Sequence, residues 1–279
     1  METTRIDSLF QRAQALFSGA KACYNRGRVK QTGEEHPMQI MDQFGAAPGA
    51  ESVRMPDGTE RTLAAEHAAA ILVNEQPAFR VVCTPELLPQ LALGRLLTEG
   101  WINSADEVER VAVCAQGLKI SVQLRHPLAA AEQAGQEVPS CCTDNLTLAS
   151  PVRLPPLPQR EIPAAWVDAL ADAMGQGLPL YRATHAVHSC LLLRAGKILY
   201  RCEDLGRHNA LDKAVGCALT EGVPLAECVL FTSGRVPVDM VRKAIRAGVP
   251  ALVSKSMPTV QSLELAEEYG LKLFIRQKK

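Results

Sequence analysis

The sequence has no excess of charge of either sign. Its 279 residues include 30 Lys and Arg against 30 Asp and Glu. Such a chain has no overall positive field to draw it to nucleic acid or to a membrane surface, so we expect neither as a partner, and any anion-binding site has to be local. Hydrophobic residues make up 47% of the chain, enough for a sizeable core, which excludes a disordered or fibrous protein.

The sequence also lacks long apolar runs. No stretch reaches the roughly 20 uncharged apolar residues of a membrane span, and the first residues, METTRIDSLFQRAQ, contain no hydrophobic core of a signal peptide. We therefore expect a cytoplasmic protein. The nine cysteines are an odd and scattered set, so no disulfide framework is predicted. Several lie in apolar runs, where a cysteine serves as a small buried hydrophobic residue.

Composition divides the chain into four segments. Residues 1–60 are predicted to form an N-terminal extension, partly mobile, because the run GAAPGAESVRMPDGTE is polar and rich in Gly and Pro. Residues 61–150 are predicted to form a small α/β domain with two pairs of strands, a helix between them and a thiol loop. Residues 151–163 contain five prolines and are typical of a linker.

Residues 164–279 form the second predicted domain. It begins with a helix at 164–175, a hairpin that turns at Gly196, and a helix from about Asn209 to Leu219. From CVLFT to LKLFI, strands and helices then alternate as β-α-β-α-β. This order requires a parallel sheet covered by helices, so the predicted fold class is α/β.

Two loops in this alternation combine hydroxyl groups, a cation and flexible backbone. Ligands in open α/β sheets bind beyond the carboxyl ends of the strands, and helix N-termini offer free N–H groups to phosphate. A nucleotide or pyrophosphate ligand fits this pattern, although such turns also serve only to cap helices. The residues concerned are Ser233, Gly234, Arg235, Ser254, Lys255, Ser256, Pro258 and Thr259.

Polar residues are densest directly after the apolar strand ILYRC. A glycine among titratable groups at a strand-to-helix junction favours a binding site over a solvated surface. His208 is suited to acid–base chemistry or phosphate binding, with Asp204 or Asp212 as its orienting partner. The alternative is a helix capped by Asn209 with surface charges around it. The cluster comprises Glu203, Asp204, Gly206, Arg207, His208, Asn209, Asp212 and Lys213.

Two further features concern metals and thiols. His185 and His188 have the spacing of a metal-ligand pair on a helix, but they precede a strand, where they point to opposite faces, and the zinc deaminase signature is absent. We therefore predict no metal. Cys141 and Cys142 are adjacent thiols on a polar turn, a setting that suits persulfide chemistry, although the pair can also be an accident of composition.

Three segments closely resemble the formate dehydrogenase accessory sulfurtransferase family, FdhD/NarQ. They are EDLGRHNALDKAVG, TSGRVPVDMVRKAIRAGVPALVSKSMPT and LAEEYGLKLFIR, and weaker matches extend the resemblance to about residues 66–276. The resemblance implies a C-terminal cytidine-deaminase-like three-layer domain without the zinc, a smaller N-terminal α/β domain, and a homodimer.

The same resemblance implies a function. Members accept sulfur from a cysteine desulfurase as a persulfide and pass it to the molybdenum of the bis(molybdopterin guanine dinucleotide) cofactor before that cofactor enters formate dehydrogenase. The cofactor is then a transient ligand, and GDP-like nucleotides are expected to occupy its site. By motif, the cofactor-contacting residues fall on His188, Phe274, Ile275 and Arg276.

The chain departs from the family at its thiol loop. The family usually has S-C-G-x-C-G, whereas here Cys141 is kept, Cys142 replaces the first glycine and Asp144 the second cysteine. The family's T-G-G-x-H likewise becomes T-H-A-V-H at residues 184–188. We expect Cys141 to carry the persulfide and Cys142 to assist. The alternatives are a molybdenum-cofactor or guanine-nucleotide chaperone without sulfur transfer, and a nucleotide-binding regulator without cofactor traffic.

Overall fold

A computed structural model describes residues 37–127, 136–137 and 154–276, which all belong to one unit spanning residues 36–279. Its first sheet has six strands in the order β1-β6-β7-β4-β5-β8. The pairs β4–β5 and β6–β7 are antiparallel, and β4 joins them through a parallel pairing with β7. The strands are β1 Gln39–Asp42, β4 His67–Val73, β5 Gln76–Cys83, β6 Val108–Val113, β7 Lys119–Leu124 and β8 Gln136–Glu137.

A separate hairpin, β2 Ala50–Arg54 with β3 Glu60–Ala64, lies near the start of the described chain. Its turn contains Gly58 at a φ of 83°, and the Asp57 side chain accepts a hydrogen bond from the backbone N–H of Thr59 at 2.9 Å. The sequence assigns residues 1–60 to an extension, whereas β1 and β2 lie within that range. β1 has only four residues and β2 is too polar to be recognised from hydrophobicity, so the one sequence signal in this region is the Pro-Asp-Gly turn after β2.

The second sheet has five strands in the order β10-β9-β11-β12-β13. The predicted hairpin is β9 with β10, and β11, β12 and β13 are parallel neighbours. The alternation predicted from CVLFT onward is therefore confirmed. The strands are β9 His188–Arg194, β10 Lys197–Asp204, β11 Cys228–Thr232, β12 Ala251–Ser254 and β13 Lys272–Ile275.

Helices cover both faces of this second sheet. Leu191 and Leu193 pack with Val167 and Leu170 of one helix in a buried cluster, and side-chain alternation places Leu192 on the other face, toward the helix that begins at residue 207. The mixed α/β class is confirmed, while the cytidine-deaminase-like assignment and the domain boundaries stay predictions. The helices are α1 Leu88–Glu99, α2 Ala164–Gly175, α3 Pro179–Thr184, α4 Arg207–Thr220, α5 Val238–Arg246 and α6 Val260–Tyr269.

The helices α1 and α4 connect the two sheets by direct backbone contact. A Cβ atom added to Gly94 would lie 1.8 Å from the carbonyl oxygen of Asp212, and one added to Gly216 would lie 1.8 Å from that of Gln90. Glycine inside a helix costs about 1 kcal/mol relative to alanine. Here that cost permits a close approach which buries every residue of α4 from Arg207 to Ala218. Within the described ranges, no helix has the length and apolarity to cross a membrane.

Candidate functional site

The two predicted ligand loops lie side by side. Since β11 and β12 pair in parallel with Thr232 opposite Ser254, both loops leave the same edge of the sheet. The Ser254 hydroxyl donates to the carbonyl oxygen of Gly234 at 3.3 Å, and the Ser256 hydroxyl donates to that of Ser233 at 3.4 Å. The adjacency expected from the β-α-β order is therefore confirmed.

The start of β9 joins the first of these loops. The backbone N–H of Ser189 donates to the Ser233 hydroxyl oxygen at 2.9 Å, and the N–H of Ser233 donates to the Ser189 carbonyl oxygen at 2.9 Å. His188, half-buried, directly precedes this contact. We use the name rim for residues 188–189, 206–209, 233–235 and 254–259, which surround this edge of the sheet.

Gly234 allows the first loop to pack on the beginning of α4. A Cβ atom at this position would lie 2.7 Å from Cβ of Arg207, which is closer than real Cβ contacts. The sequence favours a glycine here for close approach to a ligand. In the structure, the close approach is to Arg207. The absence of a Cβ atom at Gly234 allows the Arg207 side chain to pack against this loop.

Cationic groups converge on His188. Burial is the main reason that the pKa of His188 lies below its usual value, and the nearby charges of Arg207, His208 and Arg235 lower it further, while Asp204 acts in the opposite direction. Arg207 and Arg235, the permanently charged groups among these, therefore both lie near His188. The rim therefore has a local positive potential, which favours an anionic ligand although the whole chain is neutral.

His208 contacts an acidic residue that the sequence does not single out. Its Nε2 lies 2.7 Å from Oδ2 of Asp239 in the first turn of α5, and Nη2 of Arg207 lies 3.7 Å from the same oxygen. Burial lowers the pKa of His208, and Lys243 and Arg207 lower it further, against the opposing effect of Asp239. The only sequence signal for Asp239 is an acidic residue in the first turn of a helix that follows a candidate loop.

Asp204 and Lys213 form a fully buried ion pair, with 2.6 Å between Lys213 Nζ and Asp204 Oδ2. The other oxygen of Asp204 accepts from the N–H of Gly206 at 3.0 Å and from Nδ2 of Asn209 at 2.9 Å. Burial acts to lower the pKa of Lys213, but the charge and hydrogen bond of Asp204, together with nearby Cys83 and Glu86, outweigh it and the pKa is raised. The pair thus fixes the backbone at the start of α4, whose N-cap is Gly206 and not Asn209.

Asp212 is the centre of a second buried network. Its carboxylate accepts from the Thr98 hydroxyl at 2.7 Å, from Lys243 Nζ at 3.0 Å and from Arg95 Nη1 at 3.2 Å. These partners belong to α1 and α5, so Asp212 links three helices. Asp212 faces away from the second sheet, because α4 packs on α1 with one side and on β9 and β10 with the other.

Three predicted ligand contacts thus occupy different positions from those expected. The sequence places Asp204, Asp212 and Lys213 on the ligand-binding wall, whereas in the structure their side chains have no exposed area and lie beneath it. The sequence also offers Asp204 or Asp212 as the orienting partner of His208, and in the structure that partner is Asp239. These three residues support the rim from below.

In the second loop, Thr259 caps a helix and Lys255 is exposed to solvent. Thr259 caps α6, since its hydroxyl oxygen accepts from the N–H of Ser262 at 3.2 Å, so the alternative of helix capping applies to it. Pro258 pairs with Val236 of the other loop. Lys255 is exposed, and its Nζ lies 5.8 Å from the ring centre of Tyr181.

The residues that the family motif selects at the C-terminus lie on β13 and just after it. Ile275 is opposite Ser254, and the N–H of Arg276 donates to the Ser254 carbonyl oxygen at 2.8 Å, which places both beside the second loop. Arg276 also forms a salt bridge of 2.9 Å with Asp168. Phe274 packs against the buried cluster that includes Val167 and Leu170 of α2, and it is partly buried.

Metal ligands and the thiols complete the predicted set. Within the part of the chain that the structure describes, no three His, Cys, Asp or Glu residues are grouped to hold a metal ion. His185 is exposed at the end of α3 with a φ of 54°, and His188 begins β9. Cys141 and Cys142 lie outside the described residues.

Fold and site together define an α/β protein with a cationic rim at the carboxyl edge of its parallel strands. The chain matches the model of the FdhD/NarQ family over residues 64–279 and belongs to that family. It is 35% identical over 228 residues to the sulfur carrier protein FdhD of Nocardia farcinica, covering 76% of this chain and 81% of the relative.

Other relatives agree with this assignment. The sulfur carrier protein FdhD of Bacillus subtilis is 30% identical over 223 residues, covering 76% of this chain and 83% of its own. The crystal structure of a putative formate dehydrogenase accessory protein from Desulfotalea psychrophila is similar with a TM-score of 0.62 and 28% identity, covering 80% of this chain and 89% of that one.

Proposed function

We propose that the protein is a sulfur carrier in the maturation of a formate dehydrogenase. It accepts sulfur from a cysteine desulfurase as a persulfide on Cys141 and delivers it to the molybdenum of a bis(molybdopterin guanine dinucleotide) cofactor bound at the rim. The family membership and the names of the relatives support the sulfur-carrier role. Following the family, we also propose a cytoplasmic homodimer.

The observation that carries the ligand part of this proposal is the junction of the two loops through Ser233, Gly234, Ser254 and Ser256. The helices α5 and α6 begin just beyond these loops, and α4 begins beside them. Backbone N–H groups at helix starts and cationic side chains are the usual ligands of a diphosphate. Arg235 and Lys255 are exposed residues of these two loops and supply positive charge to the proposed site.

The sulfur steps balance with the two adjacent thiols. The Cys141 thiolate attacks the terminal sulfur of the desulfurase persulfide, and the desulfurase cysteine leaves as a thiolate. The Cys142 thiolate then attacks the inner sulfur of Cys141, which releases sulfide to the molybdenum and leaves a disulfide. The two thiols thereby supply the two electrons that convert sulfane sulfur to sulfide.

The first test is sulfur loading. Purified protein is incubated with a cysteine desulfurase and L-cysteine, and the added sulfur is located by mass spectrometry of peptides. We expect Cys141→Ala to lose the added sulfur and Cys142→Ala to retain it but fail to release it. Undiminished protein-bound sulfane sulfur in Cys141→Ala would contradict the proposal.

Cys114 provides a matched control for this test. Burial acts to raise its pKa, but hydrogen bonds from backbone N–H groups, that of Lys119 first, outweigh it and the pKa lies below its usual value. It is only partly buried, so it is the described thiol most open to non-specific sulfur transfer. Loading that depends on Cys141 and is unchanged in Cys114→Ala identifies a specific carrier.

A second function is favoured by the altered thiol loop, in which Cys142 and Asp144 replace the family's glycine and second cysteine. A chaperone that binds the cofactor, or its guanine nucleotide part, without sulfur transfer requires no thiol pair. It predicts that GDP binding, measured by calorimetry, survives the double replacement Cys141→Ala and Cys142→Ala. It also predicts no sulfur loading of the unmodified protein.

A further inference from the structure

Asp239 links two parts of the rim that are distant in the sequence, the loop at residues 233–235 and the beginning of α4. It lies in the first turn of α5, directly after the loop at residues 233–235, and its Oδ2 is 2.7 Å from Nε2 of His208 at the start of α4. Arg207 Nη2 lies 3.7 Å from the same oxygen. The His208 side chain is 7% exposed and that of Asp239 is 26% exposed, so the contact lies just under the surface.

This contact determines the tautomer of His208. Burial acts to raise the pKa of Asp239, but the contacts with His208 and Arg207 outweigh it, so the pKa is lowered and the group is ionised at neutral pH. An ionised carboxylate only accepts hydrogen bonds, so Nε2 of His208 carries the proton. Neutral His208 then has its free electron pair on Nδ1.

Charged groups from several elements face this imidazole. Lys243 of α5 and the adjacent Arg207 oppose its protonation, Asp239 favours it, and burial opposes it most strongly. Glu99 of α1 and His188 of β9 also interact with it electrostatically. Because the opposing influences prevail, His208 is neutral at pH 7, and Asp239 is the group that hydrogen-bonds it.

We propose that Asp239 is a positioning residue for the ligand-binding rim, which fixes His208 as its Nε2–H tautomer and holds the Arg207 guanidinium in place. The inference rests on the proposed function in that the rim is taken to bind a diphosphate. Asp239 acts through Arg207 and His208. The loop at residues 233–235 is held close to them because Gly234 packs on Arg207.

The replacement Asp239→Asn separates positioning from simple electrostatics. Removal of a negative charge near a diphosphate site strengthens the attraction of the anion, so a residue without a positioning role gives tighter GDP binding. A positioning residue gives weaker binding despite the added positive charge, and we expect about a tenfold loss at pH 7. Asp239→Glu keeps the charge and the acceptor, and we expect it to recover most of the affinity.

The protonation of His208 is measured in the ligand-free protein by nitrogen-resolved NMR, with the signal assigned through its loss in His208→Gln. We expect Nε2–H in the unmodified protein and a titration midpoint about one pH unit lower in Asp239→Asn. Asp172→Asn, an exposed carboxylate on α2, is the matched control and should leave both the midpoint and GDP affinity unchanged.

The outcomes separate the two proposals. GDP binding by Asp239→Asn that equals or exceeds that of the unmodified protein, or a His208 midpoint that does not move, overturns the positioning role. Absence of GDP binding in the unmodified protein instead overturns the diphosphate site, and the His208 midpoint and tautomer still decide whether Asp239 positions the imidazole.

Discussion

Lys213 is a charged residue without exposed surface, and its only acidic partner at salt-bridge distance in the described structure is Asp204, with Thr84 as a further acceptor at 2.6 Å. Removal of one partner leaves the other charge buried and uncompensated, which costs about 3–5 kcal/mol. We expect Lys213→Met to lower the free energy of unfolding in urea by about this amount. Lys197→Met, at an exposed position on β10, is the control and should change it by under ~0.5 kcal/mol.

The result distinguishes a supporting role from a ligand contact. If Lys213 contacted a ligand from the rim, its replacement would weaken GDP binding while leaving the stability of the ligand-free protein nearly unchanged. A loss of stability below about 1 kcal/mol would therefore argue against the buried pair as a structural element.

His188 and His208 make stability depend on pH. Both have a folded pKa below the usual 6.5, so the unfolded chain binds protons more readily than the folded one below that pH. Their contribution is complete above pH 6.5 and is lost as the pH falls toward their folded pKa values. Glu86 and Glu203 act in the opposite sense, because burial raises their pKa values above 4.5.

A difference measurement isolates the two imidazoles. Urea unfolding is followed between about pH 7 and pH 5 for the unmodified protein and for His188→Gln with His208→Gln. The glutamate contribution is common to both proteins, so the stability of the unmodified protein should fall more steeply on acidification. Parallel curves would show that the imidazoles titrate alike in the folded and unfolded states.

At the level of whole elements, the contact between α1 and α4 depends on two glycines. In Gly94→Ala the new Cβ meets a carbonyl oxygen of α4 at 1.8 Å, a contact that the backbone relieves only by moving apart. Overpacking costs typically 1–3 kcal/mol, which exceeds the gain of about 1 kcal/mol in helix propensity. We expect Gly94→Ala and Gly216→Ala each to lower thermal stability measurably by calorimetry.

The double variant adds a sharper test. The two glycines face each other in one interface, so the first alanine already separates the helices and the second meets less resistance. We expect the combined loss to be smaller than the sum of the single losses. Additive losses would indicate that the two positions lie in independent contacts.

Elements with strong local signals could be predicted from the sequence. The helix α1, which ends at Gly100 with a φ of 81°, and the parallel strands β11 to β13 follow directly from periodicity and punctuation. The hairpin β2–β3 and the six-residue helix α3 were not predictable in this way, because the first has no apolar alternation and the second is too short for a helical period.

The candidate site also has some features that could be predicted from the sequence and others that could not. The meeting of the loops at residues 233 and 254 follows from the β-α-β order, since parallel strands end at one edge. The burial of Asp212 and Lys213 does not, because Asp212 depends on α1 and Lys213 on Thr84 just after β5, both more than a hundred residues away in the sequence. The charge cluster in the sequence therefore located a strand-to-helix junction but did not indicate which of its members would face solvent.

In the whole molecule, the buried charged groups of α4 have hydrogen-bond partners on both sides of the predicted linker. Asp212 depends on Arg95 and Thr98, and Lys213 depends on Thr84, all of which lie before residue 151. A fragment of residues 154–279 loses these partners and exposes the glycine face of α4. The fragment keeps the ion pairs of Lys213 with Asp204 and of Asp212 with Lys243, but these pairs lose hydrogen bonds and α4 loses its contact with α1. We therefore expect the fragment to lack a cooperative thermal transition by circular dichroism.

A matched fragment tests whether charge is the cause. With Asp204→Asn and Lys213→Met together, the fragment no longer contains the buried ion pair that lost its hydrogen bonds to Thr84, and the net charge is unchanged. We expect this variant to recover part of the cooperative transition and of the spectral dispersion seen by NMR. If the unmodified fragment already folds cooperatively, the segment after residue 154 is autonomous and the network around α4 serves orientation of the rim alone. If neither fragment folds, the apolar contact of α1 with α4 outweighs the ion pairs in holding the two sheets together.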